Sequence, residues 1–213
     1  MASSPPGGMG GQPPIPPAPV PPEGMSDEKA KISDMQRPMV ATNPLRPMVA
    51  ADLVDVLALE HELFPDDPWS AGMFAEEVAQ PPESRLYLVA ETDAGDGGVA
   101  DSDIVSGRDA PRGHVLAGYA GMTFVPGGIQ ADVLTVAVHP AHWGSGIGSA
   151  LLAAMIKAAR DRGCTEVFLE VRADNPRARG LYLRRGFEEI GVRRGYYQPS
   201  GVDAIVMRKD LLH

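Results

Sequence analysis

The sequence predicts a protein of the α/β (α+β) class, strands and helices sharing one folded unit, on the strength of three observations. Two apolar runs, His114 to Phe124 and Ile129 to Val138, flank Pro126-Gly127-Gly128 and read as an antiparallel pair. The second run ends in Leu134-Thr135-Val136-Ala137-Val138, apolar almost throughout as expected when both faces are covered, and Pro140 ends it. After it come a glycine-rich turn, an amphipathic helix and a further apolar strand, Thr165 to Val171.

The other elements follow in chain order. Leu45 to Val49 is a short first strand, and Ala51 to Phe64 is a helix in which Leu53, Val54, Leu57, Leu59 and Leu63 mark a broad apolar side. Pro65-Asp66-Asp67-Pro68-Trp69 breaks that helix, and Ser70 caps a second one running to about Ala79. Arg85 to Glu91 is a strand. Residues 92 to 113, rich in Gly, Asp and Ser with no period, are expected to be disordered. The long helix places Ile147, Leu151, Leu152, Met155, Ile156 and Ala159 on one side, and Gly163 closes it after Arg160 and Arg162. Asn175-Pro176 opens a shorter helix as N-cap and first helical residue, and Gly186 terminates it.

Composition narrows the function classes. In 213 residues, 44% hydrophobic and 22% charged side chains are ordinary for a globular protein, and the formal net charge of −9 disfavours nucleic acid and anionic membranes as partners. The single cysteine, Cys164, cannot form an internal disulfide and is expected to pack. Residues 1–24 hold nine prolines and five glycines, so 1–43 is expected to be a disordered Pro/Gly-rich leader with polyproline II character in Pro13 to Pro22, ahead of a folded domain over 44–213. No signal-like segment opens the chain and no run of 18 apolar residues occurs, so the expected location is the cytoplasm.

The chemistry begins at Gly144-Ser145-Gly146-Ile147-Gly148. Glycines there let a ligand approach the backbone, and the following helix offers unpaired N–H groups and the positive end of its dipole, which together make an anion site. A turn without a ligand is the alternative. A nucleotide-hydrolysing P-loop lacks its lysine and hydroxyl here, and the dinucleotide fingerprint meets Ser149 where its third glycine belongs. Glu170 at the tip of the next strand is either a satisfied structural anion or a group poised for proton transfer. Tyr182, nearly two turns into the following helix, is either a core ring or an acid. His139 and His142, without Cys or carboxylate neighbours, read as loop residues and not as a metal site.

The glycine turn after an apolar strand, Phe168-Leu169-Glu170-Val171-Arg172, and the run from Asn175 through Leu181-Tyr182 to Gly186-Phe187 resemble the GNAT family of acetyl-CoA-dependent N-acetyltransferases. The likeness spans roughly residues 44 to 210. Pro68-Trp69-Ser70, Leu169 to Arg172, Asn175, and Arg193-Arg194-Gly195-Tyr196-Tyr197 followed by Asp203-Ala204 most resemble the ribosomal-protein-alanine N-acetyltransferase branch. The resemblance implies a GNAT fold, a mixed central sheet splayed around acetyl-CoA. Val136, Ala137 and Val138 would meet the pantetheine and thioester; Gly144, Ser145, Gly146, Ile147, Gly148 and Ser149 would cradle the pyrophosphate; Asn175 would bind the cofactor arm. Trp143, Gly144 and Ser149 depart from the side chains the family prefers in the cradle. A charge-assisted hydrogen bond missing there would weaken cofactor binding by roughly 1 to 3 kcal/mol.

The resemblance also assigns Glu170 as general base, directly or through a water, and Tyr182 as general acid toward the departing thiolate, with a strand N–H near Val138 for the oxyanion and no metal. An apolar setting around Glu170 would suit that role. The implied acceptor is the N-terminal alanine of the eighteenth small-subunit ribosomal protein, with Trp69, Tyr196 and Tyr197 forming the peptide groove and Asp66 and Asp67 attracting a basic peptide. Two other functions stay open: the same fold acting on a lysine or a small amine, and a noncatalytic acyl-CoA-binding module.

Overall fold

A computed structural model describes residues 45–65, 68–93 and 114–212. The leader over 1–43, Asp66 and Asp67, and positions 94–113 of the Gly/Asp/Ser-rich stretch lie outside the described residues. The elements are β1 (Leu45–Pro47), α1 (Leu53–Leu63), α2 (Ala71–Val78), β2 (Arg85–Asp93), β3 (His114–Phe124), β4 (Gln130–Val138), α3 (Ile147–Asp161), β5 (Glu166–Arg172), α4 (Pro176–Arg184), β6 (Glu188–Tyr197) and β7 (Val202–Asp210), with 3-10 turns at Ala50–Asp52 and Pro140–His142. The caps follow the sequence chemistry: Ser70 Oγ accepts from Met73 N–H at 3.3 Å, and Asn175 Oδ1 accepts from Ala178 N–H at 3.0 Å. The first strand is shorter than expected and the first helix starts later, because the 3-10 turn after Val49 takes up its opening residues.

The seven strands form one mixed sheet in the order β1-β2-β3-β4-β5-β7-β6. Only the β4–β5 pair is parallel, and it is brief: Gln130, Ala131 and Asp132 face Glu166, Val167 and Phe168. Beyond that rung each strand has another commitment. β5 pairs with β7 from Glu166 to Arg172, while β4 continues along β3 to Val138. The β3–β4 register slips at the same level, with Gly121 opposite Thr135 and Met122 opposite Val133, so Leu134 is an extra residue that bends β4 away. Gly121 is needed at this bend because a Cβ there would enter the Tyr87 ring. The result is a splay near the centre of the sheet, open toward α3 and α4.

Two cores lie on opposite faces. On one, α3 (Ile147, Leu151, Leu152, Met155) and Tyr182 of α4 pack with Ala131, Val133, Val167, Leu169, Val171 and Met207. On the other, α1 and α2 cover β2, β3 and the end of β4 through Val56, Leu59, Phe74, Tyr87, Tyr119, Leu134 and Ala137. The alternation of β5 therefore sends Phe168, Glu170 and Arg172 to this second face, beyond the part that α1 and α2 cover. Among the described residues no helix is long and apolar enough to cross a membrane.

Candidate active site

The wall of the splay nearest α3 is an anion cradle built by the backbone. Gly144 and Gly146 have φ of 78° and 94°, in the left-handed region where a side chain would strain the turn, and a Cβ on Gly146 would meet nothing within 4 Å. Gly146 caps α3 with no side-chain hydrogen bond, so the first N–H groups of the helix point out of its end. The hydroxyl of Ser145 is buried without a hydrogen-bond partner. A buried donor in that state costs stability unless a ligand or water meets it. The chain around these residues thus fits the diphosphate of acetyl-CoA.

Guanidinium groups stand beside this cradle, though none belongs to the loop itself. Arg185, just past the end of α4, donates through Nε to Ser149 Oγ at 2.7 Å and also through Nη2. Arg177, in the first turn of α4, lies 4.3 Å above the Trp143 ring, and burial holds its guanidinium below the usual arginine range. The Trp143 indole N–H in turn donates to the Val138 carbonyl at 2.7 Å. The sequence reading missed Arg185, because proximity to Ser149 arises from packing α4 against the start of α3 and not from any local motif.

The other wall is the edge of β4. His139 N–H donates to the Ala117 carbonyl at 2.9 Å, and antiparallel alternation from that bond turns the backbone groups of Val136 and Val138 into the gap and those of Ala137 toward β3. Ala137 is therefore buried on β3 and does not offer its backbone to the splay, in contrast to the expectation for it.

The titratable groups gather on the far side. The Glu170 side chain is 9% exposed; its Oε1 lies 2.9 Å from Arg193 Nη1, while its Oε2 is buried with no hydrogen-bond partner. The setting of this carboxylate is therefore not apolar alone, since it includes an ion pair to Arg193. Burial, together with the hydrogen bond and charge of Glu170, pushes the Tyr196 phenol up to about 12. Tyr197 is buried, its hydroxyl unpartnered, and burial followed by the Glu170 charge raises it further. Tyr196 and Tyr197 are in T-shaped contact at 5.2 Å, so the end of β6 closes over Glu170. Tyr182 is buried against Phe187 at 5.9 Å, and burial alone raises its phenol well above the usual range.

Structure thus gathers Glu170, Tyr196 and Tyr197 in one cluster, with Tyr182 close enough to act on the Tyr197 charge. Asn175 is fully buried at the start of α4, with its carbonyl oxygen engaged as the helix cap. Trp69, expected in the peptide groove, is 2% exposed and packs on Phe74 at 5.2 Å in the core beneath α1 and α2. His139 and His142 are 5.9 Å apart, and among the described residues no group of three or more His, Cys, Asp or Glu is placed to hold a metal.

The pattern of the Acetyltransferase (GNAT) family matches residues 54–187. The chain is 36% identical over 166 residues to the N-alpha-acetyltransferase RimI of Mycobacterium tuberculosis (strain ATCC 25618 / H37Rv), covering 76% of this chain and 89% of that protein. Among solved structures it superposes on the ribosomal-protein-S18-alanine N-acetyltransferase from Escherichia coli with a TM-score of 0.61 at 28% identity, over 79% of this chain and 93% of the other. Arabidopsis thaliana NAA60 in complex with acetyl-CoA shares the fold, with a TM-score of 0.62 at 19% identity over 80% and 99% of the two chains.

Proposed function

Since this chain belongs to the acetyltransferase (GNAT) family and is an acetyl-CoA-dependent N-acetyltransferase, we propose that its acceptor is a protein N-terminal α-amino group. The specific acceptor in this reading is the N-terminal alanine of the eighteenth small-subunit ribosomal protein, the substrate type named for its relatives. The observation that supports transfer to an amine best is the buried, unpartnered Oε2 of Glu170, and the relatives support the choice of an N-terminal one.

Acetyl-CoA supplies the acyl group: a bond forms from the amine nitrogen to the thioester carbon and the carbon–sulfur bond breaks. The residues of the chain do the rest. Backbone N–H groups at 146–149, the Ser145 hydroxyl and the Arg185 guanidinium hold the phosphates, and Val136 and Val138 align the arm through their backbone. An α-amino group with a pKa of about 8 is largely protonated at neutral pH, and Glu170 takes that proton directly or through a water. Val138 N–H stabilises negative charge developing on the carbonyl oxygen. Tyr182, kept protonated by burial, gives its proton to the departing sulfur. Tyr196 and Tyr197 border the acceptor's path.

Incubation with acetyl-CoA and a short peptide beginning with free alanine, beside the same peptide blocked at its N-terminus and carrying an internal lysine, tests the reading. Mass addition and CoA release with the free peptide alone are expected. Equal turnover of the blocked peptide would make the enzyme a lysine acetyltransferase, and CoA binding without transfer to either would leave a small amine or no acceptor at all.

A further inference from the structure

Asp132 occupies the last rung before β4 and β5 part, opposite Phe168 on one side and Thr123 on the other. Parallel pairing puts Asp132 and Phe168 on the same face, and Glu170 lies on that face two residues further along β5. The charge of Glu170 acts on the Asp132 carboxyl, so the two groups stand near one another on that face.

The charges around this point do not balance. Arg85 from β2, bonded to Thr123, is paired with Glu77 of α2 at 2.6 Å; Arg208 from β7 is paired with Glu166 at 3.2 Å; Arg193 from β6 is paired with Glu170 at 2.9 Å. Asp132 is left over: among the described residues no ion pair or hydrogen bond reaches its carboxyl group. The buried Oε2 of Glu170 also lacks a partner, as do the buried hydroxyl of Tyr197 near Glu170 and the buried Nε of Arg208. Burial, and next the negative charge of Glu170, push the Asp132 carboxyl above the usual carboxylate range. Two carboxyl groups with oxygens that meet no donor, and one negative charge in excess, describe a seat for a donor that carries positive charge.

We propose that Asp132 is a substrate-binding carboxylate that holds the acceptor's α-ammonium beside Glu170, selecting the charged amine before Glu170 removes its proton. This rests on the N-terminal acetyltransferase reading. The ammonium donates hydrogen bonds to Asp132 and to Glu170 Oε2; one proton then passes to Glu170, and Asp132 stays ionised throughout. Arg193, the most exposed member of the cluster, keeps Oε1 of the base in place.

The test compares wild type, Asp132→Asn and Asp132→Glu with the free-alanine peptide and with its des-amino counterpart, which begins with a propionyl group in place of alanine. Wild type is expected to bind the free-alanine peptide at least about tenfold more tightly than the des-amino one, the contribution of a charge-assisted hydrogen bond. Asp132→Asn is expected to erase most of that preference and to raise KM about tenfold, with a smaller change in kcat and acetyl-CoA affinity within about twofold of wild type. Asp132→Glu recovers part of the preference. Stability separates this role from a structural one. A carboxyl group whose proton affinity is raised by folding destabilises the fold as pH rises from its unfolded pKa through its folded pKa, and the full penalty persists above that. Asp132→Asn is therefore expected to melt at or above the wild-type temperature at pH 7, where loss of a structural contact would lower it. Equal wild-type binding of the two peptides would overturn the proposal, as would an unchanged peptide preference in a folded Asp132→Asn protein. Absence of peptide turnover by wild type, by contrast, counts against the N-terminal reading, and the binding comparison, which needs no turnover, still tests Asp132.

Discussion

Glu170 and Tyr182 reach the splay from different elements, and the environment of each suits a different task. The carboxylate has one oxygen tied to Arg193 and one free of protein donors, so it is oriented yet still able to accept a proton. The phenol is buried on the opposite face of the sheet, and burial keeps it protonated at neutral pH. Glu170→Gln and Tyr182→Phe are expected to slow acetyl transfer by about a hundredfold or more while acetyl-CoA affinity, followed by calorimetry, stays near wild type. Rates near wild type in both would remove the acid–base assignment. Both residues were visible in the sequence as candidates, but the sequence left each with a structural alternative, because burial and neighbours decide between them. Arg193 and Asp132 were not visible at all as partners of Glu170; they come from β6 and β4, far from it in the chain.

The elements add what single residues lack. In the loop over 143–149 there is no lysine or arginine, and α4 brings the cation instead by placing Arg185 on Ser149 of α3. Arg185 is exposed, so screening by solvent limits its contribution, and Arg185→Ala is expected to weaken acetyl-CoA binding about fivefold, roughly 1 kcal/mol. The same factor is expected with dephospho-CoA if the guanidinium reads the diphosphate; an undiminished affinity for dephospho-CoA in the variant would move Arg185 to the 3′-phosphate. The glycine turn, the caps at Ser70 and Asn175 and the apolar stripe of α3 could be read locally, since each depends on spacing within one element. Strands β6 and β7 escaped that reading. β6 is an edge strand exposed at nearly every position and interrupted by Gly191 and Gly195, so it shows no alternation of polar and apolar residues.

Across the whole molecule, the two cores divide the labour between scaffold and site. The core under α1 and α2 includes a fully buried Glu60, which accepts from Trp69 N–H at 3.0 Å and from the Tyr119 hydroxyl, so a buried charge is held by donors and not left bare. Trp69 belongs to this scaffold. Trp69→Ala is expected to destabilise the fold by about 3–5 kcal/mol through cavity formation, seen as a lower melting temperature, while the peptide KM of the protein that remains folded is unchanged. A raised KM with an unchanged melting temperature would return Trp69 to the acceptor groove. Bound acetyl-CoA should in turn raise the melting temperature, because the proposed site across α3, α4 and β4 exists in the folded chain and not in the unfolded one.

Local chemistry is enough to read the class of fold, the hairpin, the glycine turn and the two capped helices, because hydrophobic period, glycine and proline act over a few residues at a time. Tertiary packing alone opened the splay, since it follows from β5 committing to β7 while a bulge at Leu134 turns β4 toward β3. Packing also sank Trp69, turned the backbone of Ala137 to β3, lent the cradle its arginine and set Asp132 beside Glu170. Distance along the chain carries no information about such meetings; the energies of burial and of strand pairing decide them, and those exist only once the chain has folded.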